Sequence, residues 1–420
     1  EPQSGTSLTL GASGDTVTIP AGATINNQGT ATNFGATGSA SWTTTVKAAD
    51  FTAVAGEGYF VNTTSGSKTV TLPAGTAGAV VAFKDYADTF DTNALIIAAN
   101  GSDKIGGSTD NKRLSTEGIA ATLIFIDSTK GWLVTDDGLQ STVGPLTYSA
   151  DFLVIAGGGS GSGHFYGSGG GAGGYRNSFS SETSGGGGSS ETALQFLLGT
   201  TYTITVGAGA PAGNDTSGFQ GSNSLISGSG LTTITSTGGG AGARYSNNGG
   251  IGGSGGGGAA NTYTGGSGTA NQGYAGGNGS SGSSGGGGGA GAVGVNAVAS
   301  TSSGNGGSGL ASSITGSSIT RTGGGGGGND DGNFTRGTGG SGGGGDGGNG
   351  TAGTAGTVNT GSGGGGGTAS GQAGGTGGSG VVILRMPTAN YSGTVTGAET
   401  PIVDGSDTIL VFNGDGSYTG

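Results

Sequence analysis

The stretch that decides the fold begins at Asp151-Phe152-Leu153-Val154-Ile155-Ala156-Gly157-Gly158-Gly159 and closes at Gly380-Val381-Val382-Ile383-Leu384-Arg385-Met386-Pro387. Between these apolar strings lie most of the 111 glycines of the 420-residue chain, in runs such as Gly255–Gly258, Gly285–Gly289, Gly323–Gly328 and Gly363–Gly367. Short inserts of Ser, Thr, Asn, Tyr and Phe interrupt the runs. Two readings compete: a flexible glycine/serine spacer, or a packed architecture whose core residue is glycine.

The pattern favours the packed reading. Gly344, Gly347, Gly350, Gly353 and Gly356 stand in one three-residue register. Three is the repeat of the polyproline II helix, which rises about 3.1 Å per residue and makes no internal hydrogen bonds. With only 7 prolines in the chain, packing has to impose that conformation. Helices without Cβ atoms can approach closely enough to hydrogen-bond each other's backbones, which buried N–H and C=O groups require. Ordering glycine is entropically costly, and many hydrogen bonds of roughly 0.5–1.5 kcal/mol net have to offset it. The strings Phe152–Ile155, Tyr202–Val206 and Val381–Leu384 are expected to supply a rigid frame by pairing.

Working outward, residues 1–40 predict an extended β stem built from Ser7–Leu10, Thr16–Ile19 and Ala23–Ile25. These strings bury little by themselves, so the stem is expected to associate with copies of itself. Residues 41–138 predict a compact β-sandwich-like module with strands at Gly58–Asn62, Lys68–Leu72, Ala79–Asp85, Ala94–Ala98, Ala120–Ile126 and Gly131–Thr135. Trp42 and Trp132 are read as core or subunit-interface residues. Residues 139–150 read as a linker, 151–387 as the glycine-rich polyglycine II domain, and 388–420 as a C-terminal β-hairpin extension. Its turn is expected at Asn413-Gly414-Asp415-Gly416. The fold class is therefore all-β plus polyglycine II, without substantial α-helix.

Composition narrows the function. The net charge is −12, with 12 basic residues spread thinly, so no basic run tracks phosphates and nucleic-acid binding is not expected. There is no cysteine for a disulfide framework or thiolate metal site, and no apolar run reaches the roughly 18–20 residues of a membrane span. The chain opens Glu1-Pro2, which suggests processing or a fragment, in a virion-type or extracellular-type protein.

The inserts are read as surface loops at the two ends of the lattice. His164, Phe165, Tyr166, Tyr175, Arg176, Phe179, Arg244, Tyr245, Tyr263, Tyr274, Phe334 and Arg336 combine aromatic and cationic groups on a glycine scaffold, the composition of a recognition surface. The competing reading is that they only cap the lattice ends.

Catalysis is weakly supported. The single His164 would need a triad held by loops, and Glu182, Glu191, Asp330 and Asp331 show no spacing that marks paired catalytic carboxylates. No enzymatic activity, cofactor or metal is expected, although Asn329-Asp330-Asp331 could offer oxygen ligands to calcium. The Gly-x-Gly-x-x-Gly matches follow from glycine abundance and lack a strand–helix context. Asn62-Thr63-Thr64 and Asn333-Phe334-Thr335 are sequons of use only to eukaryotic machinery.

The opening and closing strings, with Gly170-Gly171-Ala172-Gly173-Gly174-Tyr175-Arg176 and Thr203-Ile204-Thr205-Val206-Gly207-Ala208-Gly209, resemble the glycine-rich domain of phage tail fibres. Distal adhesins of some T-even-like phages are similar in having stacked polyglycine II helices with variable loops at the tip. Trp42 to Asp137, through Asp50-Phe51-Thr52-Ala53-Val54-Ala55-Gly56-Glu57-Gly58-Tyr59 and Gly131-Trp132-Leu133-Val134-Thr135, resembles a β module of marine podovirus tail fibres. The resemblance implies a homotrimeric, host-receptor-binding fibre that meets a bacterial surface glycan or outer-membrane protein and other virion tail proteins. The alternative is a purely structural extracellular or virion filament protein.

Overall fold

The computed structural model describes residues 40–136, 144–145, 147–214, 216–329, 334–368 and 371–420. The expected stem and the residues Asp330, Asp331 and Asn333 lie outside them. The chain divides into two compact units, Glu1–Pro145 and Leu146–Gly420.

The first unit contains β1 (Ser41–Lys47), β2 (Phe51–Thr52), β3 (Glu57–Val61), β4 (Lys68–Thr71), β5 (Val80–Asp85), β6 (Leu95–Ala98), β7 (Lys112–Leu114), β8 (Ala120–Asp127), β9 (Gly131–Asp136) and β10 (Gly144–Pro145). They form two five-stranded sheets, ordered β1-β3-β5-β8-β9 and β10-β7-β6-β4-β2. The chain alternates between the sheets over its first six strands. In consequence β1, β3 and β5 run parallel to one another, and so do β2, β4 and β6. Parallel neighbours need a crossover; here each crossover is a strand of the opposite sheet. The turns at Thr64-Ser65-Gly66 and Ala74-Gly75 therefore carry the chain across the sandwich. Alternating residues enter one core: Tyr59, Val61, Val81, Phe83, Leu123 and Trp132 from one sheet, Val70, Leu72, Leu95, Ile97 and Leu114 from the other. Each such side chain fully buried contributes about 1.5–3 kcal/mol. Trp132 is completely buried, whereas Trp42 is 43% exposed and packs against Phe60 with the rings tilted, centroids 5.0 Å apart.

The second unit opens with β11 (Thr147–Ile155), so residues 147–150, expected as linker, are strand. It continues with β12 (Tyr175–Asn177), β13 (Leu194–Leu197), β14 (Thr201–Thr205), β15 (Ser224–Ser227), β16 (Ile234–Ser236), β17 (Leu310–Ser312), β18 (Ile319–Arg321), β19 (Val381–Pro387), β20 (Val395–Thr396), β21 (Ile402–Asp404), β22 (Asp407–Phe412) and β23 (Gly416–Thr419). The two apolar strings that bracket the glycines do pair: Phe152 faces Leu384 and Ile155 faces Val381, antiparallel, in β11 and β19. The third expected partner, Tyr202–Val206, lies in a second sheet, ordered β16-β15-β14-β23-β20. It joins the frame by packing. Phe152, Val154, Leu384, Phe412, Tyr202, Ile204 and Tyr418 share one buried cluster between the two sheets.

The C-terminal segment is part of this frame and not a hairpin appended to it. β22 pairs with β19 from Val382↔Phe412 to Pro387↔Asp407. Its hairpin partner is β21, through a turn at Gly405 with φ +61°. The Asn413–Asp415 turn sends β23 across to β14 in the other sheet. Burial decides this: Phe412 and Tyr418 enter the same core from opposite sheets, and the Asp415 carboxylate accepts the Val206 N–H at 2.9 Å.

The glycine runs are threaded below the frame. Along the first run, the N–H groups of Gly157, Gly158 and Gly159 donate to Ser222, Gly378 and Gly171. Those of Ser160, Gly161 and Ser162 donate to Phe219, Gly375 and Ser168, each partner three residues back from the one before. A three-residue hydrogen-bond period directed at three neighbouring segments is the polyglycine II arrangement. The run Gly323–Gly328 shows the full lattice. It donates to Gly304/Gly307, to Gly167/Gly170 and to Gly345, and accepts from Gly287, Gly337/Gly340 and Gly363/Gly366, which makes six neighbours.

Close approach explains the glycine. A Cβ on Gly325 would lie 2.0 Å from the Gly364 carbonyl oxygen, and one on Gly158 2.0 Å from that of Ser362. The register from Gly344 to Gly356 does not belong to one helix. Gly344 and Gly347 face Gly340 and Gly337, Gly350 turns with φ +66°, and Gly353 and Gly356 face Ala373 and Thr376.

Candidate functional site: the loop end of the lattice

Consecutive glycine helices run up and down, so the inserts fall alternately at the strand end and at the opposite, loop end. Helices at the loop end finish on serines whose hydroxyls bond the last carbonyls, adding a donor to those of Ala243, Gly258 and Gly167, which also accept a backbone N–H. Ser162 Oγ donates to Ala243 O at 2.6 Å, Ser168 Oγ to Gly258 O at 2.8 Å, Ser284 Oγ to Gly167 O at 2.9 Å and Ser303 Oγ to Gly328 O at 2.8 Å. All four are buried. They close the lattice against water, as buried carbonyls demand.

Beyond that layer the loops join into one surface. His164 N donates to Gln372 O at 3.1 Å, Ala259 N to Asn247 O at 3.4 Å, Asn261 N to Ser280 O at 2.9 Å, Ser300 N to Ser281 O at 2.9 Å and Thr335 N to Thr301 O at 3.0 Å. The His164 ring packs against Phe165 at 4.4 Å and against Tyr245 at 5.5 Å. The Arg244 guanidinium lies 5.3 Å from the Tyr245 ring centroid, a cation–π distance. Tyr245 is 51% exposed and Phe165 36%. His164 Nδ1 is buried with no hydrogen-bond partner.

Several of these loop residues hold left-handed backbone: His164 (φ 73°), Tyr166 (53°), Tyr245 (46°), Asn261 (69°), Thr262 (74°) and Ser300 (45°). Each costs on the order of 1–2 kcal/mol for an L residue. Such strain persists where the surrounding structure over-determines the conformation, and here the lattice beneath does so.

The structure thus brings His164, Phe165, Tyr166, Arg244, Tyr245, Tyr263 and Phe334 to the loop end and places the other candidates elsewhere. Tyr175 is in β12, fully buried, paired with Ile155. Arg176, next to it, is held by both Glu191 oxygens and by Thr235 O. Phe179 packs against the strand-end core and under Arg385, 5.0 Å away. Tyr274 sits within a lattice helix, its carbonyl accepting from Gly255. Arg336 lies on the lattice flank, bonded to Asp346 and Gly347 O at 3.1 Å each. The pattern Gly-Gly-Tyr-Arg-Asn reads as a loop insert, but β11 offers Tyr175–Asn177 an open edge, and pairing with it outweighs local glycine character.

Sequence reasoning missed the amide clasps on the lattice flank. Side-chain oxygens of Asn248, Asn278, Asn296, Asn305 and Asp346 accept the N–H of Thr264, Gly265, Asn278, Thr338 and Gly339 at 2.8–3.1 Å. They stand in for backbone carbonyls where the lattice has no further helix. The recurrence of Asn after Gly-rich segments is their only trace in sequence.

Of the carboxylates considered for chemistry, the two among the described residues, Glu182 and Glu191, have structural engagements. Glu191 binds Arg176 and Ser184, and Glu182 accepts from Ser313 N, Ser313 Oγ and Asn177 Nδ2 at 2.8, 2.6 and 2.9 Å. Burial alone would raise the Glu182 carboxyl, but hydrogen bonds from Ser312, Ser313 and Asn177 outweigh it and hold the group below its usual range. Among the described residues no three His, Asp or Glu side chains cluster as metal ligands, and no helix is long and apolar enough to cross a membrane. A cleft of about 530 Å³ at the strand end is lined by Arg176, Gly188, Ser189, Glu191, Asn271 and Gln272.

Residues 134–387 match the family of the glycine-rich domain, and the chain belongs to that family. No curated protein matches the chain.

Proposed function

We propose that this protein is a receptor-binding fibre component of a bacteriophage tail, which meets the bacterial surface through the loop end of its glycine lattice. The observation that carries this reading is the continuous loop surface: exposed Phe165 and Tyr245, His164 between them and Arg244 stacked on Tyr245. Rigid aromatic anchors with a neighbouring cation, on a scaffold that holds strained loops in place, are the physical ingredients of an interface hot spot. The planar faces of Tyr245 and Phe165 suit the apolar face of a surface saccharide as well as a protein epitope. The lattice leaves the loops free to vary, because their side chains take no part in its core.

The same reading expects a homotrimer, attached to other tail proteins and exposed on the virion or outside the cell. Light scattering on the intact chain tests the oligomer: a mass near 38.9 kDa removes it. The recognition reading is tested by binding of the purified protein to intact bacteria. A double variant Phe165→Ala/Tyr245→Ala is expected to lower apparent affinity at least tenfold, with the melting profile unchanged. Val358→Thr, in an exposed turn that leads toward Thr322 and Ser379 and away from the loop end, serves as the control. Equal binding by both variants removes the loop end as the contact surface.

A further inference from the structure

At the strand end a cleft of about 530 Å³ opens over Arg176 and Glu191, between the turn at 185–188 and the bend at 270–272. Its floor is polar and fixed. Arg176 Nε donates to Glu191 Oε1 at 2.9 Å, Nη2 donates to Oε2, and Nη1 donates to Thr235 O at 3.2 Å. The Gln272 amide accepts the Thr237 N–H at 2.8 Å and donates to Thr235 O at 3.4 Å. The walls are fixed as well. Gly186 and Gly187 hold left-handed backbone, φ 65° and 80°, and the Gly186 N–H donates to Ala290 O at 2.9 Å. A Cβ on Gly185 would lie 2.1 Å from Gln272 O, so the turn rests directly on the bend.

Hydrogen-bonding capacity is left over above that floor. A guanidinium has five N–H groups, and Arg176 spends three of them on Glu191 and Thr235. The Asn271 amide and the Ser189 hydroxyl, both exposed at the rim, make no hydrogen bond among the described residues. The charge, by contrast, is used up. Arg176 and Glu191 neutralise each other, and no other charged side chain among the described residues lines the cleft. A phosphate or carboxylate therefore finds no unpaired cation here. A second hollow of about 550 Å³ meets the first at Glu191 and is walled by Leu194, Leu231 and Ile234. The groove thus sets a neutral polar floor beside an apolar wall.

We propose that this groove binds a neutral oligosaccharide, as a glycan site at the end of the lattice opposite the loops. A pyranose matches it on both counts. Its hydroxyls donate and accept, as Asn271, Ser189 and the Arg176–Glu191 fork require, and its C–H face suits the wall of Leu194, Leu231 and Ile234. Two joined hollows suit a chain of sugars over a single ring. The fold already holds the floor and walls, so little of them remains to be ordered on binding. The site uses no part of the loop surface and stands independently of what that surface meets.

The test uses the full chain with maltotriose, cellotriose and chitotriose as probes, titrated into the millimolar range and followed by saturation-transfer NMR and calorimetry. Sialyllactose is the charged comparison. At least one neutral trisaccharide is expected to bind, and sialyllactose to bind no more tightly. Ser189→Ala combined with Asn271→Gly, which keeps the left-handed backbone at 271, should weaken that binding about tenfold with the melting profile unchanged. Ser189→Trp, which puts bulk at an exposed rim position, should abolish it; if the double variant fails to fold, this one decides. Phe165→Ala/Tyr245→Ala should leave trisaccharide binding untouched, which reads the two ends of the lattice separately. The proposal is overturned if no neutral trisaccharide binds, if sialyllactose binds more tightly, if Ser189→Trp binds as the wild type does, or if the loop-end variant removes the binding instead.

Discussion

The sandwich of the first unit and the glycine lattice of the second obey opposite packing rules. Around Phe83 and Leu95, both fully buried, stability comes from side chains that fill space, and removing one leaves a cavity. Around Gly325 there is no side chain to remove. Six neighbouring helices approach until backbone meets backbone, and stability comes from hydrogen bonds that the missing Cβ permits. The first core is damaged by subtraction, the second by addition.

The sharpest way to break this comparison is Gly325→Val. With the Gly364 oxygen 2.0 Å from the Cβ position, no local movement relieves the clash. The second unit is expected to lose more than about 5 kcal/mol and its cooperative transition, while the first unit's transition stays in place. Calorimetry with two resolved transitions reads both, and a variant melting within a few degrees of wild type ends the lattice account. Next in size is Phe83→Ala, which should cost the first unit about 3–5 kcal/mol without moving the second; chemical denaturation followed at the Trp132 emission reports it.

Ser284→Ala tests the layer that closes the lattice. It removes a hydroxyl donor from the Gly167 and Gly328 carbonyls, which keep the Gly328 N–H and the Ser303 hydroxyl, so a loss of about 0.5–1.5 kcal/mol is expected, with faster amide exchange near the loop end. A silent substitution would mean that water replaces the serine at no cost. An effect of similar size should come from Gly350→Ala. This glycine turns with φ +66° and nothing lies within 4 Å of a Cβ there, so the methyl adds only left-handed strain of about 1–2 kcal/mol. The same methyl thus separates interior from turn glycines, and equal costs at Gly325 and Gly350 would show that conformation, not contact, selects glycine throughout.

Much of the frame was legible in sequence. The strings Phe152–Ile155 and Val381–Leu384 announce a buried pair because they are apolar, β-branched and bounded by glycine, and they do pair. Six strands of the first unit are readable from alternation and turn residues. Its parallel winding was not, because a turn signal says that the chain bends and not which sheet receives the next strand. The role of β23 was hidden for the same reason: Asn413–Asp415 looks like a hairpin turn, yet Tyr418 finds its burial across the sandwich. Of the recognition candidates, His164, Phe165, Arg244 and Tyr245 converge. Tyr175 and Phe179 belong to the core, and only the open edge of β11, formed by residues far away in the chain, places them there.

What the sequence by itself determined is the kind of material. Glycine in long runs without proline, interrupted by polar inserts and bracketed by apolar strands, leaves backbone-to-backbone packing as the means of satisfying buried amides. What only the tertiary structure decided is the threading: which helix lies beside which, which inserts share an end, and which glycine must remain glycine. A glycine run carries no side-chain code for its neighbours. Its partners are chosen by the sheet frame, the serines and amides at the helix ends, and the direction in which each turn sends the chain.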